Sequence, residues 1–225
     1  MKVTISSGHG LKVRGAKGIL DEVDEARKVV GVVAGYLKQL GVGVNVYHDN
    51  SATTQAANLN NIVNAHNKTA RDWDVSIHFN AGCGKNGAGG VEVLHYNAAT
   101  KGMANKVSSA LAKALGLPNR GAKQRTDLRF LKGTAKPAIL IEVCFVEATS
   151  NASAYSKNFD KACRAIAEAI AGKTLPKAGT SATKAQPTGK KYRVVTGVFN
   201  SREDAQKIAD ALKKNYGTTV YIKEE

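Results

Sequence analysis

Two histidines, His9 and His78, stand where predicted β-strands end. His9 lies in SSGHG, directly after the run Lys2–Ser6, and His78 lies in VSIHFN. Since functional side chains gather at the carboxyl ends of parallel strands, the two imidazoles are expected to converge there. A shared metal ion explains the pair most economically, and a structural pair of hydrogen-bonded histidines stays open as the alternative. The remaining histidines are predicted to be surface or packing residues: His48, His66 and His95.

Four acidic residues open the helix that is predicted after His9, from about Asp21 to Leu40. They are Asp21, Glu22, Asp24 and Glu25. Carboxylates at a helix N-terminus are stabilised by about 0.3–1 kcal/mol, and this alone accounts for two or three of them. One of the four is expected to face the strand ends, where it would complete a His, His, Glu metal set.

A further carboxylate, Glu142, interrupts the apolar run PAILIEVCFVE. An ionised side chain without a partner is costly inside a central strand, so the position favours a catalytic general base over a structural role. Alternation along the run predicts Leu140, Glu142 and Cys144 on one face of the strand. Cys144 is thereby a candidate thiol nucleophile, but no cation beside it in sequence lowers its pKa, and packing is its expected role.

The first 172 residues alternate β-rich and helix-like segments, a pattern typical of an α/β fold with a mostly parallel twisted sheet and helices on both faces. The predicted strands are Lys2–Ser6, Gly43–His48, Asp74–Asn80, Val91–Tyr96 and Ala138–Phe145. The predicted helices are Asp21–Leu40, Asn58–His66, Gly102–Leu115 and Phe159–Ala171.

The chain divides after this first domain. Residues 173–189 are rich in Gly, Pro, Ser, Thr and Ala without apolar periodicity, which predicts a flexible linker. Residues 190–225 predict a small β-α-β module: a strand over 191–199, a helix over 201–215 with Ser201 as its N-cap, and a strand over 218–224. A module of about 35 residues buries too little core alone, so we expect it to need a partner surface on the first domain or on a second copy.

Composition limits the class of protein. Of the 225 residues 43% are apolar, which excludes wholesale disorder. No apolar stretch reaches the roughly 20 residues of a membrane helix, and MKVTISSGHG lacks a secretory apolar segment. We therefore expect synthesis in the cytoplasm without a signal peptide and no membrane insertion. Three cysteines at no metal-like spacing predict reduced thiols.

The formal net charge of +15 favours a polyanionic partner. It is spread along the chain as +9 over residues 1–172, +3 over the linker and +3 over residues 190–225. Nucleic acid is the poorer candidate, because aromatic residues make up 6% of the chain and no stacking motif accompanies the basic residues.

Four segments carry, in order, a resemblance to a known family: the GHG turn with His9, a glutamate opening the first long helix, SIHFNAG with His78, and PAILIEVCFVE with Glu142. Over residues 1–172 the chain resembles the zinc-dependent N-acetylmuramoyl-L-alanine amidases of the type 3 class, which are peptidoglycan hydrolases of bacteria and their phages. The resemblance implies Zn²⁺ held by His9, a glutamate of the first helix and His78, with Glu142 as general base. The bond cleaved would be the amide between the lactyl group of muramic acid and L-alanine.

In the resembled family the ligand glutamate precedes the glycine that ends its helix by about five turns. Counting back from Gly41 selects Glu22, and Glu25, one turn later, is kept in reserve. Asn80, predicted to share the side of His78, and Arg120, in the predicted loop NRGAK, are the expected substrate contacts.

The C-terminal module resembles half of a SPOR-type repeat module, a family that binds peptidoglycan glycan strands. Because two halves normally build one module, two chains are expected to pair through residues 190–225. The whole chain looks like a phage endolysin or an autolysin, which acts on the bacterial cell wall after its release. Two alternatives stay open: a zinc carboxypeptidase-like metallohydrolase acting on another amide, and a non-catalytic cell-wall-binding protein.

Overall fold

The computed structural model describes residues 1–176, 201–203, 205–206 and 209–210. The chain divides into two units, Met1–Pro176 and Lys177–Glu225. In the second unit, the described residues after Ser201 are helical, and the Ala205 amide donates to the Ser201 carbonyl. The two strands predicted at 191–199 and 218–224 lie outside the described residues. Among the described helices, none combines the length and apolar character needed to cross a bilayer.

The first unit, described throughout, alternates six strands with five helices. The strands are β1 (Lys2–Ser7), β2 (Gly43–Tyr47), β3 (Trp73–Asn80), β4 (Val91–His95), β5 (Asn119–Gln124) and β6 (Ala138–Phe145). The helices are α1 (Glu22–Gln39), α2 (Gln55–Asn67), α3 (Ala98–Leu115), α4 (Arg129–Gly133) and α5 (Thr149–Ala171).

All six strands form one sheet in the order β2-β1-β3-β6-β4-β5. Every neighbouring pair is parallel except β4 and β6, so β4 and β5 run against the other four strands. The larger core cluster joins one sheet face to α1, α3 and α5, and a smaller cluster joins the other face to α2 and α4. The predicted fold class, a mostly parallel sheet covered on both faces, is confirmed.

Two elements are absent from the sequence-based prediction, and a third, α5, is longer than predicted. Strand β5 consists of the mostly polar residues NRGAKQ at the sheet edge, and α4 is five residues long, so neither carries an apolar period. Helix α5 begins at Thr149, ten residues before the predicted start at Phe159. Asn158 has non-helical φ and ψ inside α5, and this kink separates a polar first half from the periodic second half.

Strand β6 contains one residue more than β3 near the ends of the two strands. His78 pairs with Glu142, whereas Asn80 pairs with Phe145, the irregularity of a β-bulge. Phe145 therefore takes the face of Asn80, and Cys144 packs in the larger core cluster. The predicted common face of Glu142 and Cys144 is wrong, because strict alternation fails at a bulge. The packing role of Cys144 is confirmed: its side chain is fully buried, and burial raises the pKa of its thiol.

A buried polar network attaches α2 to the sheet. His66 Nδ1 lies 2.8 Å from Asp74 Oδ1, and His66 Nε2 lies 3.0 Å from Ser6 Oγ. The Arg71 guanidinium donates to both carboxylate oxygens of Asp74. These are the residue types of an acyl-transfer triad, but Ser6, His66 and Asp74 have no exposed surface, so no substrate reaches them. The network is structural, as predicted for His66.

A second polar network supports the segment that follows β1. The buried carboxylate of Asp49 accepts hydrogen bonds from the Ser51 and Ala52 amides and from the Asn58 side chain. Its backbone carbonyl accepts from the Leu11 amide at 3.2 Å. Asp49 thereby fixes the start of α2 and the loop that carries His9.

Asp49→Asn is expected to destabilise the first unit by about 1–3 kcal/mol at pH 7, because an amide group would face donors that now meet a carboxylate. Burial opposes ionisation of Asp49, but its hydrogen bonds from Asn58, Ser51 and Ala52 lower the pKa to about 2 from 3.8. A lowered folded-state pKa contributes stability above pH 3.8 that is lost as the pH falls through 2, so the variant and the wild type should converge in acid.

Urea unfolding at pH 7 and near pH 2 measures both effects. Asp127→Asn is the matched control, since Asp127 is exposed and pairs with Arg125 in solvent, and a smaller change is expected there. Equal losses in the two variants would contradict the role given to Asp49.

Candidate metal centre

Three side chains from separate elements converge at the carboxyl ends of β1 and β3. His9 follows β1, His78 lies on β3, and Glu22 is the first residue of α1. His78 Nδ1 lies 3.1 Å from Glu22 Oε1, and His9 Nε2 lies 3.6 Å from the same oxygen. The predicted convergence follows from the register, because β1 and β3 are parallel neighbours.

Backbone amides fix the carboxylate of Glu22. Its Oε1 accepts from the Phe79 amide at 3.1 Å, and its Oε2 accepts from the Ala16 amide at 2.7 Å. Only 3% of Glu22 is exposed. Burial raises its pKa, but the hydrogen bond to His78 and the nearby histidine charges outweigh burial and lower the pKa overall. Glu22 is thus held ionised and pointed between the two histidines.

Glu25, the reserve candidate, lies elsewhere. Its carboxylate accepts from the Tyr155 hydroxyl at 3.0 Å and from Lys28 Nζ at 2.8 Å. Since Tyr155 belongs to α5, Glu25 ties α1 to α5, one helical turn along α1 from Glu22. The spacing argument that selects Glu22 agrees with this geometry.

Two glycines permit the close approach of the three side chains. A Cβ atom on Gly8 would overlap the imidazole of His78. Gly15 has φ +70°, and a Cβ atom there would collide with Glu22 and with the His9 ring. The missing side chain at both positions therefore permits packing around the site, and at Gly15 the positive φ favours glycine as well.

The two imidazoles differ electrostatically. Burial lowers the pKa of His9, and the neighbouring His78 lowers it further. Burial opposes protonation of His78 too, but its hydrogen bond to Glu22 and the nearby carboxylate of Glu142 raise its pKa overall. Within the described part of the chain, His9 Nδ1 is buried without a hydrogen-bond partner.

The donor set suits a zinc ion. His9, Glu22 and His78 form the single group of metal-binding residue types that converges among the described residues, with ligand atoms within 4.8 Å of one another. Two histidines and one carboxylate are the donors of catalytic zinc sites that keep a position for water. The residues present therefore fit Zn²⁺.

Glu142 lies directly beside this site. It pairs in register with His78 across β3 and β6. Its Oε2 is buried and, in the part of the chain that the structure covers, has no hydrogen-bond partner. Burial raises the pKa of Glu142 to about 7, and the neighbouring carboxylates of Glu22 and Glu92 add to this against the opposing charge of His78. A carboxyl group with such a pKa both accepts and releases a proton near neutral pH.

The two expected substrate contacts meet at a residue that the sequence analysis does not single out. Asn80 Nδ2 donates to Glu92 Oε1 at 2.9 Å, and Arg120 Nε donates to Glu92 Oε2 at 2.7 Å. Arg120 lies on β5, although the sequence places it in a loop. The signal for Glu92 is present in VEVLH, where a carboxylate stands inside a strand, as Glu142 does in β6.

The loop between β3 and β4 is fixed beside these residues by Glu147. Its Oε1 accepts from the backbone amides of Gly82, Cys83 and Gly84 at 2.6–3.1 Å. Three successive N–H groups directed at one carboxylate form an anion-binding nest. Glu147 therefore fixes the conformation of the loop that directly follows Asn80 and β3.

Comparison with protein families assigns residues 3–172 to the family described as N-acetylmuramoyl-L-alanine amidase and residues 163–223 to the SPOR domain. The chain is 35% identical over 187 residues to an uncharacterized protein of Clostridium perfringens, covering 78% of this chain and 53% of that relative. It spans about half the length of the two Clostridium perfringens relatives that it matches.

Two further comparisons extend the likeness. The sporulation-specific N-acetylmuramoyl-L-alanine amidase of Bacillus subtilis strain 168 is 26% identical over 232 residues, covering 100% of this chain and 86% of the relative. The catalytic domain of the CD27L endolysin targeting Clostridia difficile has the same fold, with a TM-score of 0.72 at 23% identity over 78% of this chain and 99% of that one. The family match spans the whole sheet and includes the three converging side chains and Glu142. The chain therefore belongs to the N-acetylmuramoyl-L-alanine amidase family.

Proposed function

We propose that this chain is a zinc-dependent peptidoglycan hydrolase that cleaves the amide between the lactyl group of muramic acid and L-alanine. One observation carries the proposal: His9, Glu22 and His78 converge with Glu142 at their side. The family match and the amidase of Bacillus subtilis support this choice of bond.

His9, Glu22 and His78 would hold the metal. A bound Zn²⁺ supplies Lewis-acid polarisation of the scissile carbonyl and makes the attacking water more acidic. The amides of Phe79 and Ala16 keep Glu22 in its ligating orientation by hydrogen bonds to its two oxygens.

Glu142 moves the proton. The unpartnered Oε2 accepts the proton of the attacking water and then donates it to the nitrogen of the departing L-alanine. Because burial places the pKa of Glu142 at about 7, the same oxygen serves both steps near neutral pH. No second acid is required.

The substrate is a long anionic polymer, and the basic character of the chain supports retention on it. The first 172 residues carry a formal charge of +9, and the remainder carries +6. The SPOR match over residues 163–223 supports the same polymer as binding target, since the resembled modules bind glycan strands. Attraction of this kind weakens as salt screens the charges.

A metallohydrolase that cleaves a different amide would use the same side chains. Mass spectrometry of the products separates the two activities, because an amidase leaves free lactyl groups on muramic acid and new L-alanine amino termini. A wall-binding protein without activity would release neither product.

We further propose that two chains pair through residues 190–225 to complete one wall-binding module, and that the protein acts on the wall after release from the cell that makes it. The small size of the segment supports pairing.

Glu22→Gln is expected to weaken zinc binding by more than about 10–100-fold, the cost of losing even an outer partner of a metal ligand. Glu25→Gln is the matched control, one helical turn away, and should keep its zinc. Elemental analysis after dialysis measures the content, and circular dichroism verifies folding. Zinc loss in the Glu25 variant with retention in the Glu22 variant would exchange their roles.

Glu142→Gln is expected to reduce turnover on purified cell walls by about 100- to 10,000-fold, because the amide neither accepts nor returns a proton. Zinc content should stay at the wild-type level, since Glu142 is not among the converging ligand atoms. Glu25→Gln again serves as control and should retain activity. Wild-type turnover in the Glu142 variant would remove the proton-transfer role.

Self-pairing predicts that the full-length protein sediments with about twice the 23.7 kDa mass of one chain at micromolar concentration. A chain ending at Pro176 should sediment as one copy. A monomeric mass for the full-length chain across this range would contradict pairing.

A further inference from the structure

Glu92 holds two polar side chains next to the catalytic carboxyl. Its two oxygens are divided between Asn80 and Arg120, at 2.9 and 2.7 Å. Glu92 pairs directly with Glu142 across the antiparallel strands β4 and β6, so the two carboxylates share a sheet face. Like charges in this arrangement repel each other, and the donors on Glu92 offset part of that repulsion.

The guanidinium of Arg120 is held at Nε, and its two terminal nitrogens are open to a ligand. Its Nε is engaged by Glu92, and its Cζ lies 5.1 Å from the ring centroid of Phe145. This is within the range of a cation–π contact. The Arg120 side chain is 43% exposed, and within residues 1–176 its two terminal nitrogens have no hydrogen-bond acceptor. A fixed guanidinium with two outward N–H groups suits a carboxylate.

Both polar side-chain atoms of Asn80 are already hydrogen-bonded within the protein. Its Nδ2 is used by Glu92, and its Oδ1 accepts from the Ala81 amide at 2.8 Å. Asn80 therefore braces Glu92, and Arg120 is the side chain of the cluster that remains available to a ligand.

We propose that the outward edge of Arg120 binds a carboxylate of the peptide stem of peptidoglycan, and that Glu92 is a positioning residue that holds Arg120 on Phe145 for this contact. The inference rests on the proposed function and adds a specificity site to it.

The chemistry of the polymer assigns the carboxylate to the peptide side of the cleaved bond. The lactyl carboxyl of muramic acid is consumed in the scissile amide, whereas stem residues carry free carboxyl groups. Phe145, beneath the guanidinium, lies three residues along β6 from Glu142, at most about 10 Å at 3.3 Å per residue. An extended stem covers this distance in two to three residues.

Two soluble muropeptides that differ at a single group test the contact. The second stem residue carries its α-carboxyl group either free or as a carboxamide. The wild-type enzyme is expected to show a kcat/KM about 10- to 100-fold higher for the carboxylate form, as for a charge-assisted hydrogen bond. The difference should reside mainly in KM, because the group lies outside the scissile bond.

Arg120→Gln is expected to abolish this preference. The variant should cleave both substrates with the kcat/KM that the wild-type enzyme shows for the carboxamide form. Glu92→Gln is expected to reduce the preference several-fold. Because both substrates contain the same scissile amide, any effect of Glu92 on Glu142 cancels in the ratio. Lys123→Gln removes one positive charge from the same strand and should keep the preference, which separates a specific contact from bulk charge.

Equal wild-type kcat/KM on the two substrates, or a preference that survives Arg120→Gln, would overturn the inference and leave the proposed function intact. A full preference in Glu92→Gln, with equal rate losses on both substrates, would make Glu92 merely structural. If the wild type releases no L-alanine amino terminus from either substrate or from cell walls, the proposed function fails and the inference fails with it.

Discussion

The carboxylate of Glu22 connects the three stretches of chain that build the site. It contacts His78 directly, accepts from the backbone beside His78 at Phe79, and accepts from Ala16 in the loop that carries His9. A buried carboxylate requires such donors, and here they are the groups whose positions the chemistry needs. The start of α1, the end of β3 and the loop after β1 are therefore fixed relative to one another by one side chain.

Sheet topology places the rest of the site around that point. Strand β6 lies between parallel β3 and antiparallel β4, so Glu142 has His78 on one side and Glu92 on the other. A purely parallel sheet would bring together strand ends alone. Because β4 is antiparallel to β6, the beginning of β4 lies beside the carboxyl end of β6. This start of β4 brings a second carboxylate, Glu92, and the Arg120 side chain that Glu92 holds.

Much of this site is predictable from sequence, because histidines at the ends of neighbouring parallel strands have few other ways to be arranged. His9 and His78 follow from that argument, and Glu142 follows from the cost of an ionised side chain inside an apolar strand. Counting back from Gly41 on the resemblance selects Glu22 over Glu25, but both lie in the first turn of α1. The contacts that separate them come from distant residues, the Phe79 and Ala16 amides for Glu22 and the Tyr155 hydroxyl for Glu25. A carboxylate inside VEVLH marks Glu92 as unusual, but its place beside Glu142 depends on the antiparallel pairing of β4 and β6, which no local pattern encodes.

The β-bulge in β6 sets where each side chain goes after Glu142. One added residue places the thiol of Cys144 in the core and Phe145 on the face of Asn80, under Arg120. The alternation of faces that holds up to Glu142 is therefore shifted by one residue beyond it. Strict alternation of the same residues without the bulge would exchange the two side chains, with the thiol of Cys144 on the face of Glu142 and the ring of Phe145 on the core face. Relatives that have a different number of residues between the positions of Glu142 and Phe145 therefore cannot be aligned with this chain by a fixed numbering offset. The residues around their sites have to be matched by the face of the strand on which they lie.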